Sequence, residues 1–104
     1  MQTIVIVLYA QKMQNPDLDI RYALPERIEA YTNHQVQDNG YDYLSGTALG
    51  IWLAAEDSAK SAEQIIQLIK TETFSENDLS ETAEIYISEK TCAAWENCHK
   101  IYPC

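Results

Sequence analysis

Basic residues are scarce in this chain: seven lysines and arginines stand against sixteen acids, a net charge of −9 with a pI near 4.4. A surface so short of positive charge repels phosphates, which excludes direct binding to nucleic acid or to an anionic membrane. Histidine is scarcer still. His34 and His99 are the only two, and so few imidazoles leave little room for acid–base or metal chemistry. Long apolar runs are also missing. The first run, Thr3 to Ala10, holds about seven apolar residues where a membrane span needs about twenty. It lacks the basic start and cleavage site of a secretory signal, so a cytoplasmic location is expected. Internal repeats and low-complexity segments do not occur.

Cysteine is confined to the tail. Cys92, Cys98 and Cys104 lie in the last thirteen residues, and an odd number in one short segment is no disulfide framework. If residues 91 to 102 form a helix, Cys92 and Cys98 point to different faces, which leaves Cys98 and Cys104 as the bridge that an oxidising medium could close. In a reducing cytosol these thiols stay free. With His99 the three cysteines are four zinc-ligand types, but their spacing, C-x5-C-H-x4-C, lacks the close knuckles of structural zinc sites. No metal or cofactor is expected.

What is present describes a single globular domain over residues 1–104, with 46% apolar and 22% charged residues. Residues 3–10 and 48–55 are apolar on both parities, as strands buried on both faces are. Asn15-Pro16 is a helix-start signal, and Leu24, Ile28 and Tyr31 recur at helical spacing, predicting a helix over 25–36 with Pro25 in its first turn. Asp38-Asn39-Gly40 reads as a turn before a short strand, 41–44, that stops at Ser45-Gly46 and pairs with 48–55 as a hairpin. Asp57 offers a cap to a helix whose stripe is Ala59, Ala62, Ile65, Ile66 and Ile69. Residues 73–81 form a polar connection, and Ala83, Ile85 and Ile87 alternate with polar neighbours in a last strand. Trp95, Cys98, Ile101 and Tyr102 then recur as on a helix, giving a helical tail over 91–104.

The order strand, helix, strand, strand, helix, strand predicts an α+β fold, a ferredoxin-like βαββαβ antiparallel sheet with helices on one face and an extra C-terminal helix. The two strands apolar on both parities belong at its centre. Val5, Val7, Tyr9 and Trp52 then share one sheet face and Leu8 and Leu53 the other, so the face without helices needs a cover. The tail helix and a dimer partner are the two candidates.

Each hit for chemistry has a plainer explanation. His34 sits at a helix end, where it suits the dipole, and adjacent Cys98 and His99 diverge by about 100° on a helix. Glu56-Asp57 is ordinary for a helix start, and Gly46 to Gly50 is a GxxxG without the lysine of a phosphate loop. The tyrosines and tryptophans lack the basic groove of a base-stacking platform. No catalytic residue is assigned.

Charge distribution carries the functional argument. Between Lys70 and Lys90 stand Glu72, Glu76, Asp78, Glu81, Glu84 and Glu89 with no base among them. Such a one-signed surface can dock a basic protein, with Tyr86, Tyr41 and Tyr43 as aromatic anchors. Reversing Glu76, Asp78 and Glu81 is expected to leave the fold intact.

In size, charge and layout the chain resembles the small acidic immunity proteins of bacterial toxin systems, of the contact-dependent inhibition or nuclease-bacteriocin type. The resemblance rests on no motif, so it transfers no residue role. It implies a protein, monomer or homodimer, that binds a basic nuclease toxin domain and blocks its nucleic-acid site. Two other classes share some of these features. One is an acidic or DNA-mimicking inhibitor of another protein. The other is a small dimeric ferredoxin-like enzyme with a pocket lined by Tyr9, Trp52, Trp95 and His99.

Overall fold

The computed structural model describes residues 1–13, 19–44, 48–74 and 76–103. Its centre is an antiparallel sheet of β1 (Gln2–Tyr9), β2 (Val36–Tyr43), β3 (Ala48–Ala55), β4 (Ala83–Ser88) and β5 (His99–Tyr102), in the order β2-β3-β1-β4-β5. The doubly apolar strands β1 and β3 are interior neighbours, paired from Gln2 with Ala55 to Tyr9 with Ala48. Among the described residues three α-helices accompany them: α1 (Ile20–Tyr31), α2 (Ser58–Thr71) and the one-turn α3 (Leu79–Thr82).

Strand alternation separates two apolar layers. Ile4, Ile6 and Leu8 of β1 join Ile51, Leu53 and Ile85 under α1 and α2, where Ile20, Leu24, Ile28, Ile65 and Leu68 complete the main core. Val5, Val7 and Ala48 face the other way, against partly buried Tyr9, Leu44, Trp52, Tyr86, Trp95 and Cys98.

α1 begins and ends earlier than the spacing predicted. Ile20 lies one turn before Leu24 and is buried with it, so the apolar stripe starts upstream and Pro25 falls inside the helix, where it removes one backbone donor. Asn33 and His34 have φ of 56° and 64°, left-handed conformations that end a helix. The His34 amide donates back to the Glu29 carbonyl at 2.7 Å. α2 forms with its expected cap, the Asp57 side chain accepting from the Lys60 amide at 3.1 Å. Ala59 is exposed, however, and Leu68 is buried in the stripe.

Asp38-Asn39-Gly40 is not a turn. β2 runs through it, and between Asp38 opposite Leu53 and Tyr41 opposite Ile51 it carries one residue more than β3. Gly40 at φ 97° belongs to this bulge, a conformation that glycine adopts without a Cβ clash. The expected hairpin of β2 and β3 forms, with the Leu44 amide donating to Ala48 at 3.0 Å. Within the expected polar connection, Leu79 is fully buried and anchors α3. Asn15-Pro16, Ser45-Gly46 and Cys104, with its possible bridge to Cys98, lie outside the described residues.

The helical tail is corrected to a strand. Residues 95–97 make a single 3₁₀ turn, and His99–Tyr102 pairs with β4 as an edge strand. Four residues are too few for periodicity to separate helix from strand, and the open edge of β4 offers backbone partners that a helix would leave unused. Ile85 faces Tyr102 while Tyr86 faces Lys100, so Ile101 is an extra residue in β5. The bulge turns Ile101 and Tyr102 together toward the helix-side core. The second face is covered instead by the segment between β4 and β5. Thr3 Oγ1 donates to the Lys90 carbonyl at 2.7 Å and accepts from the Ala93 amide at 3.1 Å, Thr91 donates to the Met1 carbonyl, and Trp52 Nε1 donates to the Ala93 carbonyl at 3.0 Å.

Candidate functional site

The residues expected to form one partner-binding surface are divided among three places, with Glu89 separate from all three. At the connection from α2 to β4, Glu76, Asp78 and Glu81 are exposed. Asp78 has a structural duty as well: its carboxylate caps α3 by accepting from the Ser80 amide at 3.1 Å. Glu72 closes α2 in a two-pronged ion pair with Arg27 of α1, at 2.7 and 3.0 Å. The guanidinium holds the Glu72 carboxyl below its ordinary range. Paired in this way, Glu72 ties the two helices together and offers less charge to a partner. Glu89 follows the far end of β4, about 20 Å along the strand from α3, and stands apart.

Glu84 and Tyr86 belong to the second sheet face. Glu84 Oε1 accepts from both Tyr9 Oη at 3.1 Å and Tyr86 Oη at 3.0 Å, and its other oxygen lies 3.9 Å from Lys100 Nζ. The Glu84 side chain is only 19% exposed. Tyr86 packs edge-on to Trp95, with centroids 5.9 Å apart. This arrangement anchors the cover over the second face. Burial first, then the carboxylate accepting its proton, pushes the Tyr86 phenol up to about 12.

A titration checks that network. Because the folded phenol ionises later than the ordinary value of 10.0, the stability it supplies is fully present below pH 10 and is lost as pH rises through about 12. Absorbance of tyrosinate during alkaline titration should show a late-ionising class that Glu84→Gln shifts to lower pH. Ionisation of all tyrosines together near pH 10 would contradict the network.

Tyr41 and Tyr43 occupy the third place, on edge strand β2. The register row Tyr43, Leu49, Leu8, Ala83 sets Tyr43 at the same end of the sheet as α3 but three strands away, roughly 14 Å. Tyr41 lies 5.9 Å from Tyr22 of α1 and 6.2 Å from Tyr43, both edge-on, which makes a row of three rings that are 52%, 41% and 53% exposed in the order Tyr22, Tyr41, Tyr43. The Arg21 guanidinium stands 4.6 Å from the Tyr22 centroid and 5.3 Å from that of Tyr41. Its hydrogen bond draws the Tyr22 phenol below the ordinary value.

Sequence reasoning missed Arg21, Tyr22, Glu26 and Glu29. The signal was available, because Tyr22, Glu26 and Glu29 follow at i, i+4 and i+7, but starting the helix at Pro25 concealed the stripe. His99 is exposed and in register with Ile87, on the helix side of the sheet, so it does not join Trp95 in an enclosed pocket. Cys92 is exposed and accepts from Asn39 Nδ2, while Cys98 is partly buried, and that burial pushes its thiol up. Among the described residues no three histidine, cysteine or acidic side chains gather to hold a metal, and no helix is long and apolar enough to cross a membrane.

Comparison of the chain with protein-family models, with curated proteins and with solved structures finds no match.

Proposed function

We propose that this protein binds and neutralises a basic protein, a nuclease-type toxin domain, in the manner of an immunity protein. The supporting observation is that Glu76, Asp78 and Glu81 are left exposed around α3, at the sheet end that also carries exposed Tyr43. A specific interface needs about 800 Å² on each side, a patch about 30 Å across. A molecule of 32 × 28 × 25 Å can bring these acids and tyrosines under one partner. A nuclease cleft attracts polyanions, and the exposed acids around α3 compete for it while steering fast association. In fold, we read β2-β3-β1-β4 with α1 and α2 as the βαββαβ arrangement, to which β5 adds a further edge. A cytoplasmic location goes with this reading.

The test is capture of partners by the immobilised protein, identification by mass, and titration of the purified partner's nuclease activity. A basic nuclease inhibited at one-to-one stoichiometry is expected. Glu76→Lys with Glu81→Lys should weaken the complex by about tenfold while leaving the circular dichroism and melting temperature in place. Asp78 is changed to Asn, which preserves the cap, because lysine there would cost about 1 kcal/mol of helix stability. Unchanged affinity in that variant would remove the α3 acids from the interface. A captured non-nuclease target would favour an inhibitor of another protein.

A further inference from the structure

Alongside the row of tyrosines, a groove of about 460 Å³ runs between α1 and β2, lined by Tyr22, Glu26, Glu29, Ala30, His34 and Asp38. We propose that this groove receives an arginine or lysine side chain from the basic protein partner. The proposal rests on the neutralising function above and adds a second, aromatic contact to it.

Three observations support that occupant. Tyr22, Tyr41 and Tyr43 are three of the five exposed large hydrophobic side chains among the described residues, and they adjoin one another. Contiguous exposed aromatic surface of this kind marks interaction sites, and tyrosine is among the residues that dominate binding energy. Two of these rings, Tyr22 and Tyr41, already hold a guanidinium, that of Arg21, at cation–π distance, which shows that they accommodate a cation. Three carboxylates, Glu26, Glu29 and Asp38, line the groove beyond Tyr22. Two of the three are held in place: Glu29 Oε2 accepts from the Asp38 amide at 3.2 Å, tying helix to strand, and Asp38 Oδ1 accepts from the Gly40 amide at 3.0 Å within the bulge. The other Glu29 oxygen lies 3.7 Å from His34 Nδ1.

An aromatic wall beside fixed carboxylates suits a long cationic side chain, whose stem covers the ring while its head meets the acids. An acidic peptide would meet like charge at Glu26, Glu29 and Asp38. Nor is β2 a free template for strand addition by a second copy, since its bulge and its exposed Asp38 and Asp42 interrupt a flat edge.

The probe is a blocked hexapeptide of alternating arginine and glycine, with its glutamate counterpart as control, titrated into isotopically labelled protein and followed by amide NMR. Saturable shifts at Tyr22, Glu26, Glu29 and Asp38 with the arginine peptide alone are expected. Glu26→Lys and Tyr22→Ala, both at exposed sites, should each weaken that binding by about fivefold and leave the remaining spectrum unchanged. Shifts confined to Glu76 to Glu81, shifts spread evenly over all acids, or equal response to the glutamate peptide would overturn the groove. So would concentration-dependent shifts in the same residues without peptide, since a second copy would then occupy it. The peptide experiment reads the groove whether or not a toxin is captured, so failure of the groove and failure of the neutralising function register separately.

Discussion

Trp52→Ala is expected to lower the unfolding free energy by about 3 kcal/mol, measured by urea denaturation. Trp52 stands opposite Val5 on the second sheet face and packs with Val5, Val7 and Ala48. Its ring also occupies the space above Gly50, where an added Cβ would lie 2.7 Å from Cζ3. Truncation therefore opens a void over the centre of the sheet and leaves the Ala93 carbonyl without its indole donor. Trp52→Phe keeps a six-membered aromatic ring over the sheet while losing the N–H and the five-membered part of the indole. A loss of about 2 kcal/mol, smaller than that of the alanine variant, is expected there. If Trp52→Ala costs less than about 1 kcal/mol, the second face contributes little to folding and its cover is loosely held.

Thr3→Val is expected to cost about 2 kcal/mol, although it changes the side chain by a single atom. Thr3 is buried, and its hydroxyl serves the Lys90 carbonyl and the buried Ala93 amide together. Valine satisfies neither group, and an unpaired buried donor bears its full desolvation cost. The effect should be local in a further sense. Releasing the segment between β4 and β5 should increase hydrogen exchange at Ala93 and the rate at which Cys98, the last residue of that segment and partly buried against the second sheet face, reacts with a thiol reagent. Thr3→Ser keeps the hydroxyl and should leave both rates near those of the parent. Equal reactivity of Cys98 in the valine variant would show that other contacts hold the cover.

Both substitutions concern the part of the molecule that was hardest to read in advance. β1 and β3 could be recognised as interior strands because both of their faces are apolar, and α2 because its cap and stripe agree. The need for a cover over Val5 and Val7 also followed from alternation alone. The form of the cover did not. Trp95, Cys98, Ile101 and Tyr102 fit helical spacing, yet β5 forms because β4 has an unpaired edge at that point and Thr3, 87 residues before Lys90, fixes the approach. The extra residue at Ile101 then sends Tyr102 to the helix side, where its hydroxyl donates to the Ser80 carbonyl at 2.6 Å.

The candidate surfaces divide along the same line. That the protein is acidic, and that residues 72–89 carry acids without a base, is a property of composition and order. Which of those acids faces solvent depends on neighbours distant in sequence: Arg27 for Glu72, and Tyr9 and Lys100 for Glu84. The association of Tyr41 with Tyr22 and Arg21 likewise arises only when α1 is laid beside β2. Local spacing determined the element types and the charge of the surface, because side-chain periodicity and ionisation are properties of each residue and its near neighbours. Tertiary structure decided which charges remain free and which aromatics gather, because ion pairs, edge-strand pairing and ring packing act between segments that only the folded chain brings within a few ångströms.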